Sequence, residues 1–135
     1  MDRFKFRVFV KSEDRLITDV TGFVIDLKKE KIRIFRMNPD MKDGMSSELF
    51  MLDDVVIMQC TGLKDKSGTL IYEGDIVRFK EQNYKDSEVI SREVYFDDEL
   101  CEFGIRYSNA LFHGQFSHEF EVIGNTHKHA HLLEA

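Results

Sequence analysis

The stretch Phe4-Lys5-Phe6-Arg7-Val8-Phe9-Val10-Lys11 places an apolar side chain at every even position and a charge at most odd ones. Successive side chains of a strand point to opposite faces, so this period of two predicts a half-buried β-strand. The same pattern returns in both directions along the next segments. Val20 to Leu27 and Ile32 to Phe35 read as two more strands, and Lys28-Lys29-Glu30-Lys31 between them is a tight polar connection suited to a hairpin. Asn38-Pro39-Asp40-Met41-Lys42-Asp43-Gly44 holds the only proline and two turn acids, and reads as loop. Ser46-Ser47-Glu48 has the composition of a helix start, predicting a short helix through Leu52. Val55-Val56-Ile57-Met58 is β-branched and reads as a buried strand.

Beyond residue 60, turn chemistry carries the reading. In Asp65-Lys66-Ser67-Gly68 the aspartate can accept backbone N–H groups while the glycine takes a left-handed position. Glu73-Gly74-Asp75 is a second turn, launching the strand Ile76 to Lys80, and Gly74 is expected to adopt a positive φ. Residues 81–87 form a polar linker. Val89 to Phe96 and Leu100 to Tyr107 read as strands around an Asp97-Asp98-Glu99 turn. Phe120 to Gly124 is the last strand, after which Thr126 can cap a short terminal helix contacting the core through Leu132 and Leu133. The expected architecture is mainly β, an open or pseudo-barrel of about eight short strands with one or two short capping helices, in one domain over 1–135. Twelve phenylalanines without a tryptophan suggest an aromatic-rich core.

Composition sets the outer bounds. The chain of 135 residues is 42% hydrophobic and 33% charged, with a net charge of −6, which suits a folded domain and opposes non-specific nucleic-acid binding. No apolar run approaches the ~18 residues of a membrane span, and the charged start lacks the apolar core of a signal peptide. Cys60 and Cys101 are 41 positions apart with no CxxC, so neither a zinc spacing nor a redox dithiol is present, and a reducing cytoplasm suits both. Charge is uneven. Residues 1–36 carry a net of +4 and residues 93–121 a net of −6. Such polarity suits a charged partner or head-to-tail self-association, although solvated strand faces are the plainer reading.

Candidates for chemistry are few. His127, His129 and His131 would share one face of a strand and form a metal site there, but on a helix only His127 and His131 do, and no carboxylate or cysteine lies nearby in sequence. His113 and His118 flank a probable-turn composition, Gly114-Gln115-Phe116-Ser117, where a solvated role is the simplest. Asp53-Asp54, Asp97-Asp98-Glu99 and the pair Asp86 and Glu88 sit where turns want acids. GxSxG, Walker, GxGxxG and HExxH patterns are all missing from the sequence. No catalytic, cofactor-binding or metal-ligating residue is therefore assigned. The residues singled out are a structural turn signature: Thr61, Gly62, Asp65, Gly68, Glu73, Gly74 and Asp75.

Those residues also carry a resemblance. Met58-Gln59-Cys60-Thr61-Gly62-Leu63-Lys64-Asp65-Lys66-Ser67-Gly68, with Ile71-Tyr72-Glu73-Gly74-Asp75-Ile76-Val77, closely resembles the signature of the YopX family. Phe6-Arg7-Val8-Phe9 resembles the family's start, and Phe120-Glu121-Val122-Ile123-Gly124-Asn125 followed by Leu132-Leu133-Glu134 resembles its end. The likeness runs nearly end to end, as expected of a whole family member, the family's eponymous protein among the candidates. Cys60 departs from the usual aromatic, and Lys128-His129-Ala130-His131 replaces the usual Asn-Pro-containing turn. The resemblance implies a small phage or prophage protein of a bacterial host, barrel-like and mainly β, with no established activity, no cofactor and no catalytic residues to transfer.

The expected function is then a non-catalytic binding or adaptor module in the host cytoplasm, acting on a host or phage protein. A nucleic-acid-binding barrel using the basic segment 3–36 is the alternative, with Phe4, Phe6, Phe9, Phe23 and Phe35 available for stacking if Lys5, Arg7, Lys29, Lys31 and Arg33 share a face. A small phage enzyme comes last. The segment 89–96, Val-Ile-Ser-Arg-Glu-Val-Tyr-Phe, is β-rich and free of proline, so it is the expected exposed edge for a weak homo-oligomer.

Overall fold

A computed structural model of the chain describes residues 4–80, 89–106 and 119–133. The fold is mainly β, of open-barrel type, with a sheet curled into a half-barrel. Eleven strands are present among the described residues, in place of the eight expected: β1 (Phe6–Val10), β2 (Arg15–Ile17), β3 (Val20–Asp26), β4 (Lys31–Met37), β5 (Met45–Met51), β6 (Val55–Lys64), β7 (Leu70–Tyr72), β8 (Asp75–Lys80), β9 (Val89–Asp97), β10 (Glu102–Ile105) and β11 (Glu121–Asn125). The helical elements are 3-10 turns at Lys11–Glu13, Leu52–Asp54 and Ala130–Leu133. The chain divides into two compact units, one over residues 4–59 and the other from residue 60 onward, and β6 passes from the first into the second.

In the first unit, β1 pairs antiparallel with β2 and with the first half of β6, while β3, β4 and β5 form an antiparallel sheet in that order. Val8, Val10, Ile17, Ile32, Ile34 and Val55 make its core, with Phe23, Phe50 and Ile57 packed against them. β1 is not half-buried as its alternation suggests. Arg7 and Phe9, on the face opposite Val8 and Val10, are also buried, at 8% and 6% exposure. A second layer covers what the sequence reads as a solvent face. The expected hairpin forms as read: β3 and β4 meet across Leu27–Glu30, where Glu30 has a φ of +54° and Asp26 Oδ1 accepts the Lys29 N–H at 3.1 Å.

The helix expected from Ser46 to Leu52 is instead strand β5, paired with β4 at seven consecutive positions from Met37↔Met45 to Lys31↔Met51. An isolated helix this short is marginal in water, so a full ladder against β4 outweighs a local capping pattern. At Leu52 the chain turns, its N–H donating to the Glu30 carbonyl at 2.8 Å. Asp54 then accepts both the backbone N–H and the hydroxyl of Ser12, tying the first two 3-10 turns together.

In the second unit, the order is β10-β9-β8-β11, all antiparallel, and β7 pairs with the second half of β6. Ile71, Val77, Phe79, Val94, Ile105 and Phe120 form the core. Across both units the buried residues are chiefly valine and isoleucine, and only Phe9, Phe79 and Phe120 of the described phenylalanines are buried. The aromatic core expected from composition is thus an aliphatic one, because β-branched side chains fill pleated sheets closely. β9 is not the exposed edge: it takes β8 on one side through Val89–Glu93 and β10 on the other through Val94–Asp97. β10 begins at Glu102 and not at Leu100, since Asp97 Oδ1 accepts the N–H groups of Glu99 and Leu100 (3.0 and 3.2 Å) and Cys101 turns the chain with a φ of +52°. The linker 81–87, the end of the strand expected to reach Tyr107, and His113 and His118 lie outside the described residues.

Candidate interaction face

The turn signature assembles around two buried carboxylates. Asp65 Oδ1 accepts the N–H groups of Ser67 and Thr69, and its Oδ2 accepts that of Val122 on β11, all at 2.9 Å. Burial pushes the Asp65 carboxyl up, but the N–H groups of Val122, Thr69 and Ser67, aided by the Lys66 charge, hold it below its ordinary value. Asp75, 1% exposed, accepts the Tyr72 N–H at 2.7 Å. Thr61 Oγ1 donates to the Ile71 carbonyl at 2.8 Å and accepts the Leu63 N–H at 3.1 Å. Gly62, Gly68 and Gly74 have φ of +84°, +85° and +87°. Gly74, beside Glu73, donates to the Val94 carbonyl and accepts the Thr126 N–H. Every one of these groups is spent on chain geometry, so the signature holds turns together.

The tail is organised by Asn125, whose Oδ1 accepts the N–H groups of His127 and Lys128 (3.1 and 3.0 Å), a role the sequence suggested for Thr126. His129 Nδ1 accepts the Asn125 N–H at 3.2 Å, and its ring lies against Gly124. One imidazole is therefore used in packing, and no group of three His, Cys, Asp or Glu able to hold a metal occurs among the described residues. The acid pairs are dispersed: Asp54 and Asp97 brace turns, and Asp86 and Glu88 lie outside the described residues. A groove of about 610 Å³ beside β8 brings together Lys66, Arg78, Lys80, Glu119 and Glu121. There Arg78 (2.9 Å) and Lys66 (3.3 Å) both bind Glu121 and lower its pKa, in that order of effect. Its charges largely satisfy one another.

The outer face of the β3-β4-β5 sheet is different. Ile32 and Ile34 of β4 are fully buried, so the intervening Lys31, Arg33, Phe35 and Met37 point away from the core. Register places Val24 and Leu49 on either side of Arg33, Met51 beside Lys31, and Met45 beside Met37. Val24, Leu49 and Met51 are 61%, 49% and 48% exposed, and Met37 64%. A groove of about 430 Å³ lies along this face between Val24, Phe35 and Leu49 on the apolar side and Lys29, Lys31 and Arg33 on the basic side, with Asp26 at one end. Lys29, Lys31 and Arg33 make no ion pair among the described residues, Arg33 bonding only to the Ser47 hydroxyl at 3.1 Å. By contrast Arg15 and Arg36 are held by Glu48 at 2.6 Å and by Asp19 at 2.7 Å. The basic segment 3–36 thus does not present one continuous basic surface: Arg7 is buried on β1, Arg15 and Arg36 are paired, and Lys29, Lys31 and Arg33 alone share the outer face. Sequence reading missed this face because β5 was read as helix, and three of its exposed apolar residues, Met45, Leu49 and Met51, belong to β5.

A family model described as YopX protein matches residues 5–134. The fold is similar to the crystal structure of protein EF1440 from Enterococcus faecalis, with 25% sequence identity, a TM-score of 0.66, and coverage of 96% of both chains. It is also similar to the crystal structure of protein yopX from Bacillus subtilis, at a TM-score of 0.58, covering 97% of this chain and 98% of that one. The latter identity is 14%, so the two are distinct proteins sharing a fold. No curated protein matches the chain.

Proposed function

Because the chain belongs to the YopX family, and its sites are built for structure more than for chemistry, we propose that it is a non-catalytic binding module of a phage or prophage, acting on a host or phage protein in the bacterial cytoplasm. The observation that carries this reading is the outer face of β3-β4-β5, where exposed Val24, Leu49, Met51 and Met37 surround the unpaired cations Lys31 and Arg33. Isolated exposed apolar residues are ordinary, but a contiguous group on one rigid sheet face marks a surface that is covered by a partner. Arginine beside apolar anchors is also the composition of energetic centres in protein interfaces.

The test is capture of binding proteins by the full chain from cells carrying the phage, with wild type compared with L49D/M51D. A protein retained by the wild type and lost with the double variant supports the reading. Equal retention by both, or nothing above background, refutes it. Binding of single-stranded DNA or RNA by the wild type that is lost in K31E/R33E would replace it with the nucleic-acid alternative.

A further inference from the structure

We propose that the groove on the outer face of β3-β4-β5 receives the β9–β10 turn of a second copy of this chain. The proposal rests on reading that face as an interaction surface and adds an occupant to it. The β9–β10 turn is the chemical complement of the groove. Asp98, Glu99 and Glu102 are exposed around Leu100, itself 66% exposed. Asp97 uses Oδ1 to close the turn, which fixes Leu100 and its neighbouring carboxylates at the end of a paired hairpin. Arg106 is the single cation of the acidic segment 93–121. It sits beyond Ile105↔Val94, at the end of the hairpin away from the turn, stacked 4.5 Å over Tyr95 and 3.5 Å from Glu93. Nothing within residues 97–105 offsets the carboxylates.

One surface therefore offers an apolar side chain ringed by carboxylates, and the other an apolar groove lined by Lys29, Lys31 and Arg33. Leu100 and the groove residues Val24 and Leu49 remain exposed in the single chain, so neither surface is covered by the other in the same molecule. Complementary charge of this kind steers and orients association more than it tightens it, and the net charge of −6 on each copy opposes close approach. The contact is accordingly weak and salt-sensitive. It is also heterologous, joining unlike patches, so it closes as a ring or extends as a chain.

Sedimentation equilibrium of the full chain, from micromolar to hundreds of micromolar at low and high salt, tests the proposal with two charge-reversed variants. K31E/R33E alters only the receiving face, and D98K/E99K alters only the turn. The wild-type mass should rise above the monomer with concentration at low salt, with association falling by about tenfold or more at 1 M salt, where the screening length is ~3 Å. Each variant alone should stay monomeric. An equimolar mixture of the two should associate again, since the acidic turn of K31E/R33E meets the intact basic face of D98K/E99K. A wild type that stays monomeric, a variant that associates as the wild type does, or a mixture that stays monomeric overturns the proposal. D98K/E99K leaves the sheet face untouched, so its capture of a partner from cells reads the proposed function separately from self-association.

Discussion

Replacing Asp65 with asparagine removes one charge and changes one atom, yet it should be among the most damaging conservative substitutions in the second unit. The carboxylate satisfies three backbone donors, two through Oδ1 and one through Oδ2, and so joins the turn after β6 to strand β11. In D65N the amide oxygen can keep the Ser67 and Thr69 N–H groups, but the amide nitrogen then faces the Val122 N–H, donor against donor. A buried donor left unmade costs about 1–3 kcal/mol, and the two remaining bonds lose the extra strength of an ionised acceptor. The total is about 2–4 kcal/mol, which lowers the melting temperature of a domain of this size by ~10 °C. Urea unfolding followed by far-UV circular dichroism at pH 7 measures it. The pH dependence gives a second check. The folded-state pKa is depressed, so the stability it contributes is present above the unfolded value near ~4 and is lost as pH falls through the folded value. The gap between wild type and D65N should therefore be largest at neutral pH and narrow below pH ~4. A loss under ~0.5 kcal/mol at neutral pH, or a gap that persists unchanged into acid, would refute the argument that this carboxylate holds the turn as an anion.

Three further outcomes are expected. G74A should lose about 1–3 kcal/mol, because alanine must hold the φ of +87° in a buried turn; a thermal melt unchanged within error would contradict it. G124A places a Cβ 2.7 Å from His129 Nδ1, so it should destabilise by about 1–3 kcal/mol. Adding H129A should recover part of that loss, and strict additivity in the double-mutant cycle would show that the two positions do not clash. L49D should leave urea stability within about 0.5 kcal/mol of wild type, since the side chain it replaces is half exposed, and a large loss would mean that Leu49 supports the fold instead of a partner.

Much of the fold is legible because its signals are local. The hairpin between β3 and β4 is visible in two alternating runs and a polar connection, and the turns at Asp65–Gly68 and Glu73–Asp75 in residues whose side chains bond their own backbone. The failures are equally specific. Ser46-Ser47-Glu48 looks like a helix start until β4 supplies a seven-position ladder. Val89–Phe96 looks like an edge until β8 and β10 take its two sides. Thr126 looks like the cap, whereas Asn125 has its side-chain oxygen aimed at the two N–H groups that need it.

The sequence by itself determined the strand-rich class, most turns and the family, because a period of two, a glycine at positive φ and an aspartate in a turn act over a few residues. Only the tertiary structure decided which strands pair, that Arg7 is buried while Lys31 and Arg33 face outward, and that Val24, Leu49 and Met51 meet on one surface. Burial and pairing depend on neighbours 10 to 30 positions away in sequence, and no local pattern in β4 states that β5 will lie beside it. The candidate interaction face is a property of that register, so it becomes visible only when the three strands are laid side by side.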